Sequence, residues 1–411
     1  MTDKSVLVVG GGAAGLASAC ELSGLGAKVT IVEQSHFAGG HAIGYTCKAT
    51  DQCVKCGACM VEERLEQVTQ DTAVTLMTHT WVTAVDMADG FSVSLEQAPR
   101  FIDPEKCDNC GICFQQCPEP GAVLRGYSKS HRPFYAIAAD KCSHFTMGDC
   151  RICQEACPQA AIDLDAQAVS AQITADAVVL ATGFSPFSPE SKPYGYGRFK
   201  NVITNLEMER MLRRKGRAIR PSDGHDARRI AFIQCVGSRD AKLGHLWCSK
   251  VCCGSALRMA SVVKARQAEA EITFFYMDVQ TFGRDFETFY PKIREQVRMR
   301  RAIPADIYPA PDDGMRVTYL DHQAGDSVQE TFDLVVLSVG LLPRQGLDRT
   351  ADMFNVPRAD TGFVAQGQQW VVSAPAGIFT AGAVSGPMSI AESMASAGAA
   401  AGQVARHLDL V

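Results

Sequence analysis

The spacing of the cysteines constrains this chain more than any other feature of its sequence. The sequence contains 17 cysteines, and twelve of them lie between Cys47 and Cys157. Disulfide frameworks are typical of short secreted chains, whereas this one has 411 residues and shows no signal-peptide pattern at its N-terminus. We therefore expect a cytoplasmic protein whose cysteines are reduced thiols or metal ligands.

Two runs of cysteines resemble the cluster-binding pattern of bacterial ferredoxins. They read Cys107-x2-Cys110-x2-Cys113-x3-Cys117-Pro118 and Cys142-x7-Cys150-x2-Cys153-x3-Cys157-Pro158. In such runs three thiolates hold one [4Fe–4S] cube, and the fourth ligates the neighbouring cube. The expected ligand sets are Cys107, Cys110, Cys113 and Cys157 for one cluster, and Cys142, Cys150, Cys153 and Cys117 for the other. The alternative is a pair of structural zinc sites with four cysteines each.

A glycine-rich turn predicts a dinucleotide-binding site near the start of the chain. The pattern G-x-G-x-x-G stands between an apolar strand and a helix of small residues, and a second strand ends in an acidic residue. This β–α–β context predicts a parallel sheet with a pyrophosphate at the helix N-terminus and ribose hydroxyls on the acid. The residues expected to bind the cofactor here are Gly10, Gly12, Ala13, Ala14, Gly15, Glu33 and Gly40.

Two later motifs favour FAD over NAD as that dinucleotide. Ala181-Thr182-Gly183 ends a buried strand and resembles the second fingerprint of flavoproteins with two dinucleotide-binding domains. The stretch from Ile378 to Ala383 resembles their C-terminal flavin motif, although Ala383 replaces the usual aspartate. We therefore expect further flavin contacts from Ala181, Thr182, Gly183, Gly382 and Ala383.

A second nucleotide-binding-like domain is expected to begin with the strand at Arg229 to Gln234. The residues that follow, Cys235 to Arg239, contain no glycine fingerprint. Nicotinamide binding is therefore expected to be lost or severely weakened, so that electrons reach the flavin by another route. An NAD(P)H-dependent reductase is the competing function, and a non-catalytic zinc-binding scaffold is a third reading.

Two other cysteine sets are less regular than the ferredoxin-like runs. Three of the four residues Cys47, Cys53, Cys56 and Cys59 have cluster-like spacing, and the alternatives are a zinc site or redox thiols near the flavin. The second set, Cys235, Cys248, Cys252 and Cys253, contains an adjacent pair, which from spacing alone is more typical of buried thiols. The remaining cysteine, Cys20, is expected to pack in the core.

Taken together, these motifs resemble the flavin-containing A subunits of heterodisulfide reductases over nearly the whole chain. The Rossmann start, the inserted ferredoxin module, and the stretches Phe232 to Arg239 and Cys248 to Cys253 carry the resemblance. The resemblance implies that Cys235, Cys248, Cys252 and Cys253 hold a third [4Fe–4S] cluster close to the flavin. It also implies a basic side chain near flavin N5, where this sequence has Arg258 instead of a lysine.

The layout is similar to the corresponding flavin-containing component of the quinone-interacting membrane-bound oxidoreductase complex of sulfate reducers. Compared with the archaeal proteins, we expect two modules fewer, and the sequence has more cysteines between Cys47 and Cys59. This resemblance implies an oxidoreductase subunit that links the menaquinone pool to adenylylsulfate reductase. The implied partners are a second flavin–iron–sulfur subunit and a haem-containing membrane subunit. A soluble heterodisulfide-reductase-like flavoprotein with other partners is the alternative.

Charge and hydropathy restrict the remaining partners. The net charge of −5 gives no support for nucleic acid binding. No apolar run approaches the ~20 residues that span a bilayer, so attachment to the inner face of the cytoplasmic membrane is expected only through partner subunits.

The expected fold class is α/β, with two dinucleotide-binding domains as in thioredoxin reductase and an inserted α+β ferredoxin domain for two [4Fe–4S] clusters. We expect FAD-binding Rossmann segments at 1–98, 166–225 and 346–411. The ferredoxin domain is expected at 99–165, and the degenerate nucleotide-binding-like domain with its cysteine site at 226–345.

Overall fold

The computed structural model describes residues 4–88, 90–130, 133–280, 285–365 and 376–410. The elements before residue 98 alternate between strands and helices and then turn into a β-ribbon. They are β1 (Ser5–Val9), α1 (Ala13–Gly24), β2 (Lys28–Glu33), α2 (Ala58–Gln70), β3 (Val74–Thr78), β4 (Thr80–Asp86) and β5 (Phe91–Gln97).

The next segment contains only short elements. They are α3 (Ile112–Gln116), β6 (Val123–Arg125), β7 (Tyr135–Ile137), α4 (Ser143–Met147) and α5 (Ile152–Glu155). Strands β6 and β7 form an antiparallel pair.

The remainder of the chain returns to regular α/β structure. Up to residue 266 its elements are β8 (Val169–Ala175), β9 (Ala177–Leu180), β10 (Phe184–Pro186), β11 (Val202–Thr204), α6 (Asn205–Lys215), β12 (Arg229–Val236) and α7 (Cys252–Arg266). Those that follow are β13 (Glu271–Phe275), α8 (Phe286–Arg294), β14 (Arg298–Arg300), β15 (Asp306–Pro309), β16 (Met315–Asp321), β17 (Asp326–Phe332), β18 (Leu334–Val339), β19 (Leu341–Pro343), α9 (Leu347–Met353), β20 (Ile378–Thr380) and α10 (Ile390–His407).

The first sheet is parallel and has the strand order β20-β9-β1-β2-β3. Both of its faces are covered, which explains why β1 is a continuous apolar run. Val6 and Val8 pack in the cluster that includes residues of α1, α2 and α10. Leu7 and Val9 pack on the opposite face, beneath residues of β5 and β8. The carboxyl ends of these parallel strands therefore meet at one edge of the sheet.

The ferredoxin-like segment is inserted between two paired strands. Strands β5 and β8 are antiparallel neighbours in the sheet β4-β5-β8, so the chain leaves and re-enters the domain at nearly the same place. A bridge between Ile102 and Ile162 closes the base of the insertion. Its small core contains Cys142 and Cys153, with other cysteines packed against it. The bounds 99–165 for the inserted module stay a prediction.

A second parallel sheet has the strand order β11-β18-β12-β13-β14. Strand β11 and helix α6 are part of this unit, because β11 pairs with β18. This differs from the expected boundary at residue 226, which assigned residues 202–215 to the FAD-binding part. The three-residue strand β11 is too short to give a recognisable apolar run. An antiparallel meander, β15-β16-β17, extends the second domain, and the pair β10–β19 connects the two domains.

Within the part of the chain that is described, no helix has the length and apolar character needed to cross a membrane.

Candidate functional site

A cleft of about 1220 Å³ lies where the carboxyl ends of the first sheet face the second domain. Ten of the twelve residues expected to bind the dinucleotide line it. They are Gly10, Gly12, Ala13, Ala14, Glu33, Gly40, Ala181, Thr182, Gly183 and Ala383. Gly15 and Gly382 are not part of the lining.

Gly15 and Gly382 are instead required by close packing. A Cβ atom on Gly15 would stand 1.8 Å from the carbonyl oxygen of Gly10, so α1 approaches the turn after β1 too closely for any side chain. A Cβ atom on Gly382 would stand 2.6 Å from the Cβ of Ala14, and Gly382 has a φ of +75°. Both glycines therefore support the lining from behind.

Gly12 has the opposite character. Its φ is −82°, and the nearest heavy atom that an added Cβ would meet is the Cα of Gly40, 3.9 Å away. Gly12 is also the N-cap of α1, and no side chain caps its N–H groups. The protein itself does not demand a glycine here, whereas a pyrophosphate lying against the helix N-terminus does.

Two polar side chains are suited to the parts of a dinucleotide other than its pyrophosphate. The Glu33 carboxylate is buried and accepts hydrogen bonds from the backbone N–H groups of Gly11 (2.8 Å) and Ser35 (2.7 Å), which fix its orientation at the cleft. The hydroxyl of Thr182 is buried and has no hydrogen-bond partner among the described residues. A held carboxylate and an unsatisfied hydroxyl in one cleft are suited to a ligand rich in hydroxyl and amide groups.

The second domain contributes helix α7 and the loop before it to the same cleft. Lys250, Gly254, Ser255 and Arg258 line it, as does Cys56 from the first domain. Burial lowers the pKa of Arg258, and its guanidinium lies over the rings of two phenylalanines of α8. The structure thus places Arg258 at the cleft, as the resemblance implied, and its role near the flavin stays a prediction.

A buried ion pair at the cleft was not anticipated from the sequence. The Lys48 Nζ lies 2.6 Å from Glu209 Oε1, and both side chains are almost fully buried. Glu209 also accepts hydrogen bonds from the backbone N–H of Thr46 (3.2 Å) and the hydroxyl of Ser255 (3.3 Å). Lys48 and Ser255 both line the cleft. No local motif signals this pair, because its partners are far apart in the sequence.

The four cysteines of the second domain converge beside this cleft. Cys252 and Cys253 form the first turn of α7, while Cys235 has a left-handed φ of +61° at the end of β12. Burial, and then the proximity of Cys253, raises the pKa of Cys235 to about 11. Burial also raises the pKa of Cys252, and the nearby thiols of Cys253, Cys235 and Cys248 raise it further. The four thiols therefore lie within electrostatic reach of one another.

In the insertion, one of the two expected sets of thiols lines a common cavity. A small cavity is lined by Cys107, Cys110, Cys113 and Cys157. Burial raises the pKa of Cys153 to about 11, with further contributions from Cys142, Cys117 and Cys150. Cys107, Cys110, Cys113 and Cys157 thus share one cavity, whereas the grouping of Cys142, Cys150, Cys153 and Cys117 stays a prediction.

The cysteines of the 47–59 segment are more exposed. Burial raises the pKa of Cys59, and the nearby Glu63, Cys56 and Cys47 raise it further. Cys53 accepts a hydrogen bond from the backbone N–H of Lys55. Among the residues that the structure describes, no three or more His, Cys, Asp or Glu side chains are arranged to hold a metal ion. The ligation of clusters by all of these cysteine sets therefore stays a prediction.

The turn after β12 is filled by the chain's own side chains. An added Cβ on Gly237 would lie 2.2 Å from the ring of Phe187. His245 Nδ1 lies 3.0 Å from the Gly237 carbonyl oxygen, and its ring lies edge-on to Phe187. In a nucleotide-binding domain this turn would contact a pyrophosphate. Here the equivalent space is occupied.

Comparison with solved structures identifies the fold. The chain resembles the thioredoxin reductase of T. acidophilum with a TM-score of 0.55, at 15% identity over 99% of both chains. It resembles that of Lactococcus lactis with a TM-score of 0.56, at 13% identity over the whole of both chains. The expected α/β class is thereby confirmed: the chain has a thioredoxin-reductase-like FAD fold with two dinucleotide-binding domains.

Two family matches locate the motifs. Residues 8–69 match the NAD(P)-binding Rossmann-like domain family, and residues 100–119 match the 4Fe-4S binding domain family. The second match confirms a ferredoxin motif that includes the first cysteine run.

The most informative relatives are archaeal. The chain is 33% identical to the A subunit of the H(2):CoB-CoM heterodisulfide,ferredoxin reductase of Methanothermobacter thermautotrophicus, over 98% of this chain and 64% of the relative. It is 34% identical to an iron-sulfur A subunit of the CoB--CoM heterodisulfide reductase of Methanopyrus kandleri, over 99% of this chain and 65% of the relative. The chain thus spans just under two thirds of the length of these curated relatives.

Substitutions at two glycines should separate cofactor binding from folding. Gly12→Ala should leave the apoprotein as stable as the wild type but remove FAD, because the new Cβ enters only the cleft. Gly15→Ala should lower the free energy of unfolding by about 3 kcal/mol or more, because its Cβ collides with Gly10. Flavin absorbance after gel filtration and urea unfolding of apoprotein measure the two effects.

Gly398→Ala is the control, since this exposed glycine in the middle of α10 has open space around it. It should stabilise the chain by roughly 0.5–1 kcal/mol and keep the flavin. Full flavin occupancy in Gly12→Ala would contradict the pyrophosphate assignment.

Removing Glu209 should be far more costly than removing an exposed acid. Glu209→Ala leaves Lys48 buried without its counter-ion and should destabilise the apoprotein by about 3–5 kcal/mol. Asp165→Ala breaks the exposed pair with Arg151 and should cost less than about 1 kcal/mol. Equal urea midpoints for the two variants would show that the buried pair contributes no more to the stability of the apoprotein than the exposed pair does.

Proposed function

Because its relatives over almost the whole chain are heterodisulfide reductase A subunits, we propose that this protein is an electron-transfer subunit of a heterodisulfide-reductase-like complex. In this proposal it is an oxidoreductase component that contains FAD and [4Fe–4S] clusters. The proposal covers only the part of the relatives that the chain spans.

One observation carries the proposal: the dinucleotide turn and the cysteine-bearing helix line the same cleft. Gly10 and Gly12 stand on one side, and Gly254 and Ser255 stand on the other, directly after Cys252 and Cys253. A flavin bound through the glycine turn therefore has its redox-active neighbours supplied by α7. This arrangement suits exchange between a two-electron carrier and one-electron carriers.

The cofactors supply the redox chemistry, since FAD exchanges one or two electrons and each cluster passes one. The chain's residues bind, orient and shield them. Glu33 and the N-terminus of α1 hold the dinucleotide, while Arg258 supplies positive charge at the cleft. Cys252 is buried and Cys235 is partly buried, so the chain shields these thiols from much of the solvent.

We propose three clusters: two in the insertion and one on Cys235, Cys248, Cys252 and Cys253. The grouping of Cys107, Cys110 and Cys113 around one cavity with Cys157 supports the exchange of ligands in the insertion. A fourth cluster on the 47–59 segment is a weaker extension, supported by Cys56 at the cleft and by the proximity of Cys47 to Cys59.

The chain's electrons are proposed not to come from NAD(P)H. The support is Phe187, whose ring fills the turn at Gly237 where a nucleotide phosphate would bind. The competing function, an NAD(P)H-dependent reductase, would need that turn to be open.

At a finer level, we propose that the complex links the menaquinone pool to adenylylsulfate reductase in the cytoplasm. The additional cysteines between Cys47 and Cys59 favour this subtype over the soluble alternative with other partners. The proposed partners are a second flavin–iron–sulfur subunit and a haem-containing membrane subunit, which would hold this chain at the inner face of the membrane.

A count of iron, sulfide and FAD on anaerobically purified protein tests the cofactors. Twelve irons and twelve sulfides per FAD are expected for three cubes, and sixteen of each would include the 47–59 set. Cys157→Ser should disturb the cluster held by Cys107, Cys110 and Cys113, because it removes that cluster's fourth thiolate. Elemental analysis and electron paramagnetic resonance spectra measure both effects.

Cys20→Ser is the matched control, because Cys20 lies in α1 and packs against the first-domain core. It should keep full iron. Iron-free protein rich in zinc would refute the clusters, and rapid bleaching of the flavin by NADH would instead favour the competing reductase.

Anaerobic titration with a reduced menaquinone analogue tests the finer proposal. The isolated chain should not be reduced, whereas its flavin and clusters should be reduced once it is purified together with its membrane partners. Passage of these electrons to adenylylsulfate reductase is the expected result. A stable complex that accepts electrons only from soluble donors would support the alternative.

A further inference from the structure

A β-bulge lies at the end of β12, where the cysteine set of the second domain begins. Ile233 is opposite Leu337 of β18, but Val236 is opposite Val339, so β12 carries one extra residue between these pairs. Cys235 lies within this irregularity and has a left-handed φ of +61°. Bulges are common beside active sites because they redirect a side chain. Here the bulge displaces Cys235 from the regular alternation of the strand.

Two buried polar side chains flank the bulge without a partner. Gln234 is 3% exposed, and neither its amide nitrogen nor its amide oxygen has a hydrogen-bond partner among the described residues. Ser338 on the neighbouring strand is 0% exposed, and its hydroxyl is also unpaired within the described part of the chain. Leaving such groups unsatisfied costs about 1–3 kcal/mol each, so each calls for an explanation.

The placement of both residues follows from the alternation of side chains along the strands. Ile230 and Phe232 of β12, together with Leu334 and Val336 of β18, pack in the cluster that contains residues of α7. Gln234 and Ser338 continue these two rows by one step towards the carboxyl ends of the strands. Helix α7 packs on both strands.

The first turn of α7 lies at this end of the sheet. The Cys252 Sγ approaches the carbonyl oxygen of Val339, the residue after Ser338, at 3.9 Å. Cys252 and Cys253 are both buried at this position. The Gln234 amide and the Ser338 hydroxyl therefore lie on the face of the sheet that is covered by α7, the helix that begins with Cys252 and Cys253.

We propose that the Gln234 amide N–H and the Ser338 hydroxyl donate hydrogen bonds to the sulfur atoms of the cluster held by Cys235, Cys248, Cys252 and Cys253. They are positioning and tuning residues, not ligands. This inference rests on the proposed function, because it requires a cluster at this site.

The direction of their effect follows from charge. Reduction adds an electron to an already anionic group of sulfurs, so donated hydrogen bonds stabilise the reduced state more than the oxidised state. In a buried site these bonds are little weakened by water. Both residues therefore raise the reduction potential of this cluster, leaving those of the insertion unaffected.

The test uses the full chain, loaded with FAD and clusters and titrated under anaerobic conditions with an electron paramagnetic resonance readout. Gln234→Met removes the amide at similar volume, and Ser338→Ala removes the hydroxyl. Each should lower the potential of this one cluster so that its reduction equilibrium falls about tenfold, equivalent to about 59 mV for one electron. The flavin and the insertion clusters should keep their potentials.

A direct readout supplements the potentials. The reduced cluster should show couplings to exchangeable protons that disappear in heavy water, and each variant should lose one of them. Ser338→Thr keeps a hydroxyl and should restore both the coupling and the potential. Should Gln234→Met fail to fold, the comparison of Ser338→Ala with Ser338→Thr still tests whether a hydrogen bond from this region sets the potential of the cluster.

Two matched controls separate tuning from loss of packing. Gln267 is also buried, but its amide is paired with Ala218 at the far end of α7, so Gln267→Met should destabilise the chain without shifting this potential. Ser18 has a buried hydroxyl in α1 that is unpaired among the described residues, and Ser18→Ala should leave this cluster unchanged.

The iron count and the potentials together separate a failure of the hydrogen-bond inference from a failure of the proposed third cluster. Twelve irons per wild-type chain with unshifted potentials in Gln234→Met and Ser338→Ala would overturn the hydrogen-bond inference alone. Eight irons, with no signal from the second domain, would instead show that the proposed third cluster is wrong and would remove the inference with it.

Discussion

The buried contact between Lys48 and Glu209 connects the two halves of the cleft on which the other features depend. Lys48 belongs to the loop after β2 in the first domain, whereas Glu209 lies on α6 of the second domain and also accepts from Ser255 of α7. Arg213, one turn after Glu209, donates to the carbonyl oxygen of Tyr45 and so strengthens the same junction. Charges this deeply buried are tolerated only when paired and hydrogen-bonded. The pair therefore connects the loop after β2 in the first domain to α6 and α7 of the second domain at the cleft.

The parts of this arrangement that could be predicted from the sequence are those with a local physical signature. Strand β18 has such a signature because a buried parallel strand is continuously apolar, and helix α10 has one because a Ser389–Glu392 capping box marks its start. The first helix begins at Ala13, because the glycine turn leads directly into it. The ferredoxin motif that includes the first cysteine run was also predictable, since its short, regular spacing is a local pattern.

The remaining features depend on contacts between distant parts of the chain. Lys48 and Glu209 are isolated charges in their own segments, and only the packing of α6 against the loop reveals them as partners. The same is true of Gln234 and Ser338, whose lack of hydrogen bonds within the described residues is visible only after the rest of the sheet is accounted for. The domain boundary was placed too late because β11 has three residues and gains its identity from pairing with β18. Interactions of this kind leave no pattern in a single sequence.

The second domain keeps the electrostatics of a nucleotide-binding fold while its ligand, under the proposed assignment, is different. In such folds the helix after the first strand points its N-terminus at a phosphate, where free N–H groups and the helix dipole favour negative charge. Helix α7 follows β12 in the same way, but its first two residues are Cys252 and Cys253, and Phe187 closes the phosphate turn at Gly237. A thiolate-ligated cluster is also an anion, so the proposed cluster would be stabilised by the same helix end without any change of fold. Under this proposal, a few side chains and one bulge would suffice to turn a site for a diffusible electron donor into a fixed redox centre.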